Sequence, residues 1–198
     1  MLEQRIQQQF FDSADLQYAS AEVLAKPIAD AVSAIVGCIT AGGKVLACGE
    51  GGSACDADLF ATEFSARFER ERPGLAAFSL ASNAALLTRL AGSDGVDTIF
   101  SRQVEALGAP GDVLLALSAD GQTASVLAAV EAAHAKDMTV VALNGRGGGV
   151  LRGRLIETDV QVCVPHERIA RIQEVHRLTL HCICDAVDLQ LLGEQDNA

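Results

Sequence analysis

Apolar residues recur every three to four positions along the first forty residues: Leu2, Ile6 and Phe10, then Ile28, Val32, Ile35, Val36 and Ile39. That spacing predicts two helices, over 2–19 and about 25–41, with Pro27 in the first turn of the second and Gly42-Gly43 at its end. The pattern then changes. Five short apolar runs follow, Val45–Cys48, Leu75–Leu80, Val113–Leu117, Thr139–Leu143 and Val160–Val164, separated by helical or irregular stretches. Strand-length apolar runs alternating with helices predict a parallel sheet covered on both faces. A last helix is expected over about Glu167–Leu192. The fold class is therefore α/β, a three-layer sandwich around a five-stranded parallel sheet. A helical arm over 1–42 precedes one domain over 43–198, with no internal repeat or linker.

Composition fits one domain of 198 residues plus an arm: 49% of residues are hydrophobic, only 4% are aromatic and Trp is absent. Ala, Leu and Val must do most of the packing. The formal net charge of −11 would repel a phosphate backbone, so no direct nucleic-acid binding is expected. The polar start MLEQRIQQQFFDSAD lacks the apolar core of a signal peptide, and no run of about 18 uninterrupted apolar residues occurs. A cytoplasmic chain without a membrane span is the expectation. The six cysteines, Cys38, Cys48, Cys55, Cys163, Cys182 and Cys184, have no zinc spacing and read as buried reduced thiols.

Three of the strands end in small or polar turns: Gly49-Glu50-Gly51-Gly52-Ser53, Ser118-Ala119-Asp120-Gly121-Gln122-Thr123 and Asn144-Gly145-Arg146-Gly147-Gly148-Gly149. Ligands of open α/β sheets bind at such strand ends, where backbone N–H groups and helix N-termini attract anions. Three turns on one rim point to a polar or phosphorylated ligand. There is no G-x-G-x-x-G with its acidic residue, and no G-K-[ST], so neither a dinucleotide nor a P-loop site is indicated.

The segments CGEGGSACDADLF, RFERERPGL, GDVLLALS, DMTVVALNGRGGG and RIARIQEVHRLTLHCICD together span most of the chain. On these residues the chain resembles the SIS (sugar isomerase) family, whose fold is flavodoxin-like. The nearest branch is that of the phosphoheptose isomerases (GmhA), with the related replication protein DiaA. The resemblance implies a homotetramer with sites between subunits. It implies isomerisation of sedoheptulose 7-phosphate to D-glycero-D-manno-heptose 7-phosphate, a lipopolysaccharide heptose precursor, through an enediol. Carried over residue by residue, Glu63 and His181 are the catalytic pair. Ser53, Ser118, Asp120, Thr123 and Gln173 contact the sugar phosphate. Glu63, Gln173 and His181 are what remains of a zinc site.

The departures fall on the same residues. Glu50 stands where the branch has Asn, Leu59 where it has a zinc-binding His, and SADGQT where it has STSGNS. Leucine cannot ligate, so little zinc is expected. His176, three residues after Gln173, is the other nitrogen donor nearby. Two charges about 5 Å apart at an effective dielectric near 20 repel by roughly 3 kcal/mol, so Glu50 or Asp120 facing a phosphate would weaken its binding. Asp120 can instead cap the following helix through the N–H groups near Gln122 and Thr123. Two readings follow from the resemblance: a phosphoheptose isomerase with an altered site, or a non-catalytic DiaA-like tetramer that binds the replication initiator DnaA.

Overall fold

A computed structural model describes residues 1–194 of the chain. The helices are α1 (Leu2–Thr40), α2 (Gly52–Ser65), α3 (Ala84–Ser93), α4 (Ser101–Leu107), α5 (Ala124–His134), α6 (Gly149–Arg152) and α7 (Ile169–Leu192). The strands are β1 (Val45–Gly49), β2 (Ala77–Ser79), β3 (Val113–Ser118), β4 (Thr139–Gly145) and β5 (Val160–Val164). All five pair in parallel in the order β2-β1-β3-β4-β5. The predicted sheet is therefore present, with each strand on or within two residues of its apolar run.

The strands read as continuous apolar runs because both faces are covered. Val45 and Ala47 of β1, and Val113, Leu115 and Leu117 of β3, enter a core shared with α1, α2 and α7. Their alternates Leu46, Cys48, Leu114 and Ala116 enter a second core with α4 and α5. A side-chain period of two across a buried sheet gives this division.

The arm differs from expectation. The two helices predicted over 2–19 and 25–41 are one continuous helix, with Pro27 inside it. Residues 20–24 contain no Gly or other stop signal, and Ser20 and Leu24 are buried. Pro27 removes one backbone hydrogen bond, to the carbonyl of Val23, and Val23 lies on the exposed side where water can satisfy it. By length and composition α1 is also apolar enough to cross a membrane, which a search for uninterrupted apolar runs overlooks. Its Val32 and Ile35 are instead fully packed in the core. Leu2, Ile6, Phe10 and Phe11, near its start, are exposed.

The cysteines also divide. Cys38, Cys48 and Cys184 are buried, but Cys55 and Cys182 are exposed and Cys163 is partly so. Cys55 sits in the first turn of α2 at a cavity mouth, and Cys182 on the side of α7 beside α1. Apolar sequence neighbours do not report which face of a helix a thiol occupies.

Candidate functional site

The chain passes from β1 outward to β2 and then crosses to β3 on the other side, so strand order reverses between β1 and β3. The crevice outside their carboxyl ends is the expected ligand position. Gly49 ends β1, and a Cβ there would lie 2.7 Å from the Cβ and carbonyl of Ser53. Only glycine lets the strand turn this tightly into α2. The turn's own bonds run from Ser53 N–H to the Glu50 carbonyl, 3.1 Å, and from Cys55 N–H to the Gly51 carbonyl, 3.4 Å.

From β3 come Ser118 and its loop. The Ser118 and Thr123 hydroxyls are 2.9 Å apart. The Gln122 N–H donates to Asp120 Oδ1 at 3.0 Å. The helix N-cap is Thr123, without a side-chain cap bond, so Asp120 closes the turn before α5 and does not cap the helix itself. Glu50 reaches across, and its carboxylate accepts from the Ser125 hydroxyl in the first turn of α5. Together Glu50, Ser53, Ser118, Asp120, Thr123 and Gln173 line a cavity of about 150 Å³. Both substituted acids are thus anchored by donors of the loop that precedes α5 and its first turn. Behind it, a Cβ on Gly121 would meet the Gly148 carbonyl at 2.0 Å, and the Leu151 N–H donates to the Gly121 carbonyl at 3.0 Å.

A second cavity of about 580 Å³ lies along α7, lined among others by Cys55, Asp56, Gln173, Arg177 and His181. Gln173 lines both cavities. Asp56 is 2% exposed and receives two bonds on Oδ1, from Arg177 Nε at 3.0 Å and Nη2 at 2.6 Å. The His181 ring lies 5.7 Å from that of Phe68.

Glu63 and Leu59 are half-buried on α2 and do not line this cavity. The Glu63 carboxylate lies toward α7 nonetheless. Burial pushes the Cys184 thiol up to about 12, and the charge of Glu63 is the next largest cause. Cys184 is three residues past His181. The structure therefore brings Gln173 and His181 into one cavity, Ser53, Ser118, Asp120 and Thr123 into the other, and leaves Glu63 on the α2–α7 seam.

His176, the other nitrogen donor nearby in sequence, is a packing histidine. It is fully buried and its Nε2 donates to the Asn144 carbonyl at 3.1 Å. Burial lowers its pKa. For zinc, the donors in register are one carboxylate, one amide oxygen and one imidazole, with Leu59 contributing none. Among the described residues no group of three or more His, Cys, Asp or Glu is placed to hold a metal. With one imidazole and no thiolate, this set is poorer in nitrogen and sulfur than zinc sites ordinarily are.

Asp56, Arg177 and Ser125 were not singled out from the sequence. A signal existed for Arg177: Gln173, Arg177 and His181 are four apart and share one face of α7. Nothing in the sequence marks Ser125, because its partner Glu50 lies 75 residues away.

Comparison with known proteins gives a consistent picture. The SIS domain profile matches residues 9–145. The chain is 67% identical over 196 residues to the phosphoheptose isomerase of Methylibium petroleiphilum, covering 99% of this chain and 98% of that protein. It is 52% identical over 192 residues to the phosphoheptose isomerase of an Azoarcus species, covering 97% and 98%. The solved structure of phosphoheptose isomerase GmhA from Neisseria gonorrhoeae superimposes with a TM-score of 0.91 at 42% identity, covering 95% of this chain and 99% of that one. A phosphoheptose isomerase structure from Francisella tularensis gives 0.92 at 39% identity, covering 95% and 98%.

Proposed function

Because the chain belongs to the SIS domain family, and its relatives over almost its whole length are phosphoheptose isomerases, we propose that it isomerises sedoheptulose 7-phosphate to D-glycero-D-manno-heptose 7-phosphate. The observation behind this reading is Gln173, which joins the small cavity at the β1–β3 crevice to the larger one holding His181. A sugar phosphate needs two such adjoining compartments, one for the phosphate and one for the reacting carbons.

By resemblance to the phosphoheptose isomerases, Glu63, on the α2–α7 seam rather than in either cavity lining, is the base that takes a proton from C1 of the ketose and returns it to C2. His181 supplies a proton to O2 and removes one from O1, so the intermediate is a neutral enediol or its enediolate. Arg72 Nη2 donates to the Glu63 carbonyl at 3.0 Å and so steadies the last turn of α2. No step is routed through zinc. The alternative of a DiaA-like protein that binds DnaA draws no support from relatives that are phosphoheptose isomerases.

The test is exchange of the C1 hydrogen of sedoheptulose 7-phosphate in deuterated water, together with formation of the aldose. Wild type should catalyse both and Glu63→Gln neither. Absence of both from wild-type protein would sink the reading.

A further inference from the structure

We propose that Arg177 is a catalytic residue of this isomerase, and that its guanidinium stabilises the enediolate oxygens in the role a metal would otherwise fill. The inference rests on the isomerase reading for its substrate. An enediolate carries negative charge on oxygen that the ground-state sugar lacks, so a fixed cationic donor beside it lowers the barrier. With Leu59 offering no donor and one imidazole among the donors in register, this seam is a poor match to zinc's preference for nitrogen and sulfur.

Arg177 is placed for the task. It lies midway between Gln173 and His181 on one face of α7, and all three line the larger cavity. The other two arginines at the start of α7 are committed to α1. Arg168 donates to the Gln9 side chain at 3.0 Å, and Arg171 to the Gln9 carbonyl at 2.7 Å and to Glu174. Arg177 alone of the three lines the cavity.

Its bonding leaves an open edge. Both bonds to Asp56 end on Oδ1 and use Nε and Nη2, so Nη1 has no partner among the described residues. The Asp56 side chain is 3% exposed and that of Arg177 54%. A buried carboxylate therefore holds one side of the planar group, while the rest meets the cavity. A guanidinium held this way can offer two parallel N–H groups to adjacent oxygens, which matches O1 and O2 of an enediolate. The pairing with Asp56 lowers its net charge but fixes its orientation, and fixed donors need no reorganisation as the charge develops.

The experiment measures kcat and KM for sedoheptulose 7-phosphate in wild type, Arg177→Gln and Arg177→Lys, each with and without EDTA. Arg177→Gln should lower kcat by about 10²-fold or more with KM within about threefold, the signature of an interaction made in the transition state. Arg177→Lys, which keeps a cation beside Asp56 but loses the fork, should lower kcat by about tenfold. EDTA should leave wild type unchanged. Circular dichroism checks folding. If Arg177→Gln is unfolded, Arg177→Lys and EDTA carry the test.

A kcat within twofold of wild type in the folded variants, or loss of wild-type activity to EDTA, overturns the proposal and leaves the isomerase reading standing. A wild type that neither turns over nor exchanges the C1 hydrogen overturns both. A double variant, Leu59→His with Arg177→Gln, adds a readout a purely structural arginine would not move: zinc should restore its kcat.

Discussion

Arg72 Nε donates to Asp188 Oδ1 at 2.5 Å, joining the segment after α2 to the end of α7, and neither side chain is more than 2% exposed. Arg72 Nη1 also donates to the Phe64 carbonyl at 2.8 Å, and its guanidinium lies 5.8 Å over the Phe64 ring. Asp188→Ala would leave this guanidinium buried without its counter-charge. The expected loss is about 3–5 kcal/mol, read by urea unfolding. The double variant Arg72→Met, Asp188→Leu should recover much of it, since no unpaired charge then remains.

His176 makes stability depend on pH. Burial depresses its folded pKa below the ordinary 6.5, so the unfolded chain binds the proton more readily. Its contribution is present above about pH 6.5 and is lost as pH falls below that value, by up to about 1.4 kcal/mol per unit. Unfolding measured from pH 7.5 to 5 should show this slope. His176→Gln, which cannot protonate, should flatten it while lowering stability overall.

Protein purified without added metal should hold well under one zinc per chain, because Leu59 offers no donor where a ligand is needed. Elemental analysis measures this. Leu59→His places an imidazole four residues before Glu63, on the same face of α2, and should raise the zinc content toward one.

Glu50 and Asp120 should act chiefly on KM. Each brings a negative charge to the smaller cavity, and each occupies a donor, Ser125 or the Gln122 N–H, that would otherwise be open to an anion there. Glu50→Asn with Asp120→Ser should lower KM for sedoheptulose 7-phosphate by about tenfold or more. Adding Leu59→His should raise turnover beyond the sum of the single changes, since groups that act as a unit are not additive. Equal kinetics in wild type and the triple variant would show that the cavity tolerates its carboxylates.

The exposed Phe10, 72% accessible, and Leu2, Ile6 and Phe11 beside it leave an apolar stripe on α1. Burying it between copies of the chain would give the homotetramer that the resemblance implies. Light scattering should report a mass near four times 20.6 kDa, and Phe10→Glu should lower it.

The sheet was legible because its strands are buried on both faces, which leaves an unbroken apolar run wherever one occurs. The arm was less so. Pro27 reads as a helix start, and against that the sequence offers only the absence of a stop signal over residues 20–24. The smaller cavity was legible where its lining comes from residues at and just after strand ends, as with Ser53, Ser118 and Asp120. The larger cavity was not legible where its lining pairs residues far apart in sequence: Asp56 and Arg177 are 121 positions apart, and their pairing follows from α2 packing on α7. Apolar patterning gave the Cys55 environment wrongly, because a cavity mouth removes neighbours that the pattern presumes.

Gly121 and Gly149 bring two loops into backbone contact: a Cβ on Gly149 would meet the Asp120 carbonyl at 2.3 Å. Displacing either of the loops after β3 and β4 therefore disturbs its contact with the other. Amide hydrogen exchange at Leu151, which donates to the Gly121 carbonyl, then serves as a gauge of loop opening from outside the ligand cavity. A ligand that tightens the Ser118–Thr123 turn should slow exchange at Leu151 without touching it. For the same reason a length change in one of these loops should be felt by the other, since the contact between them has no room even for a Cβ.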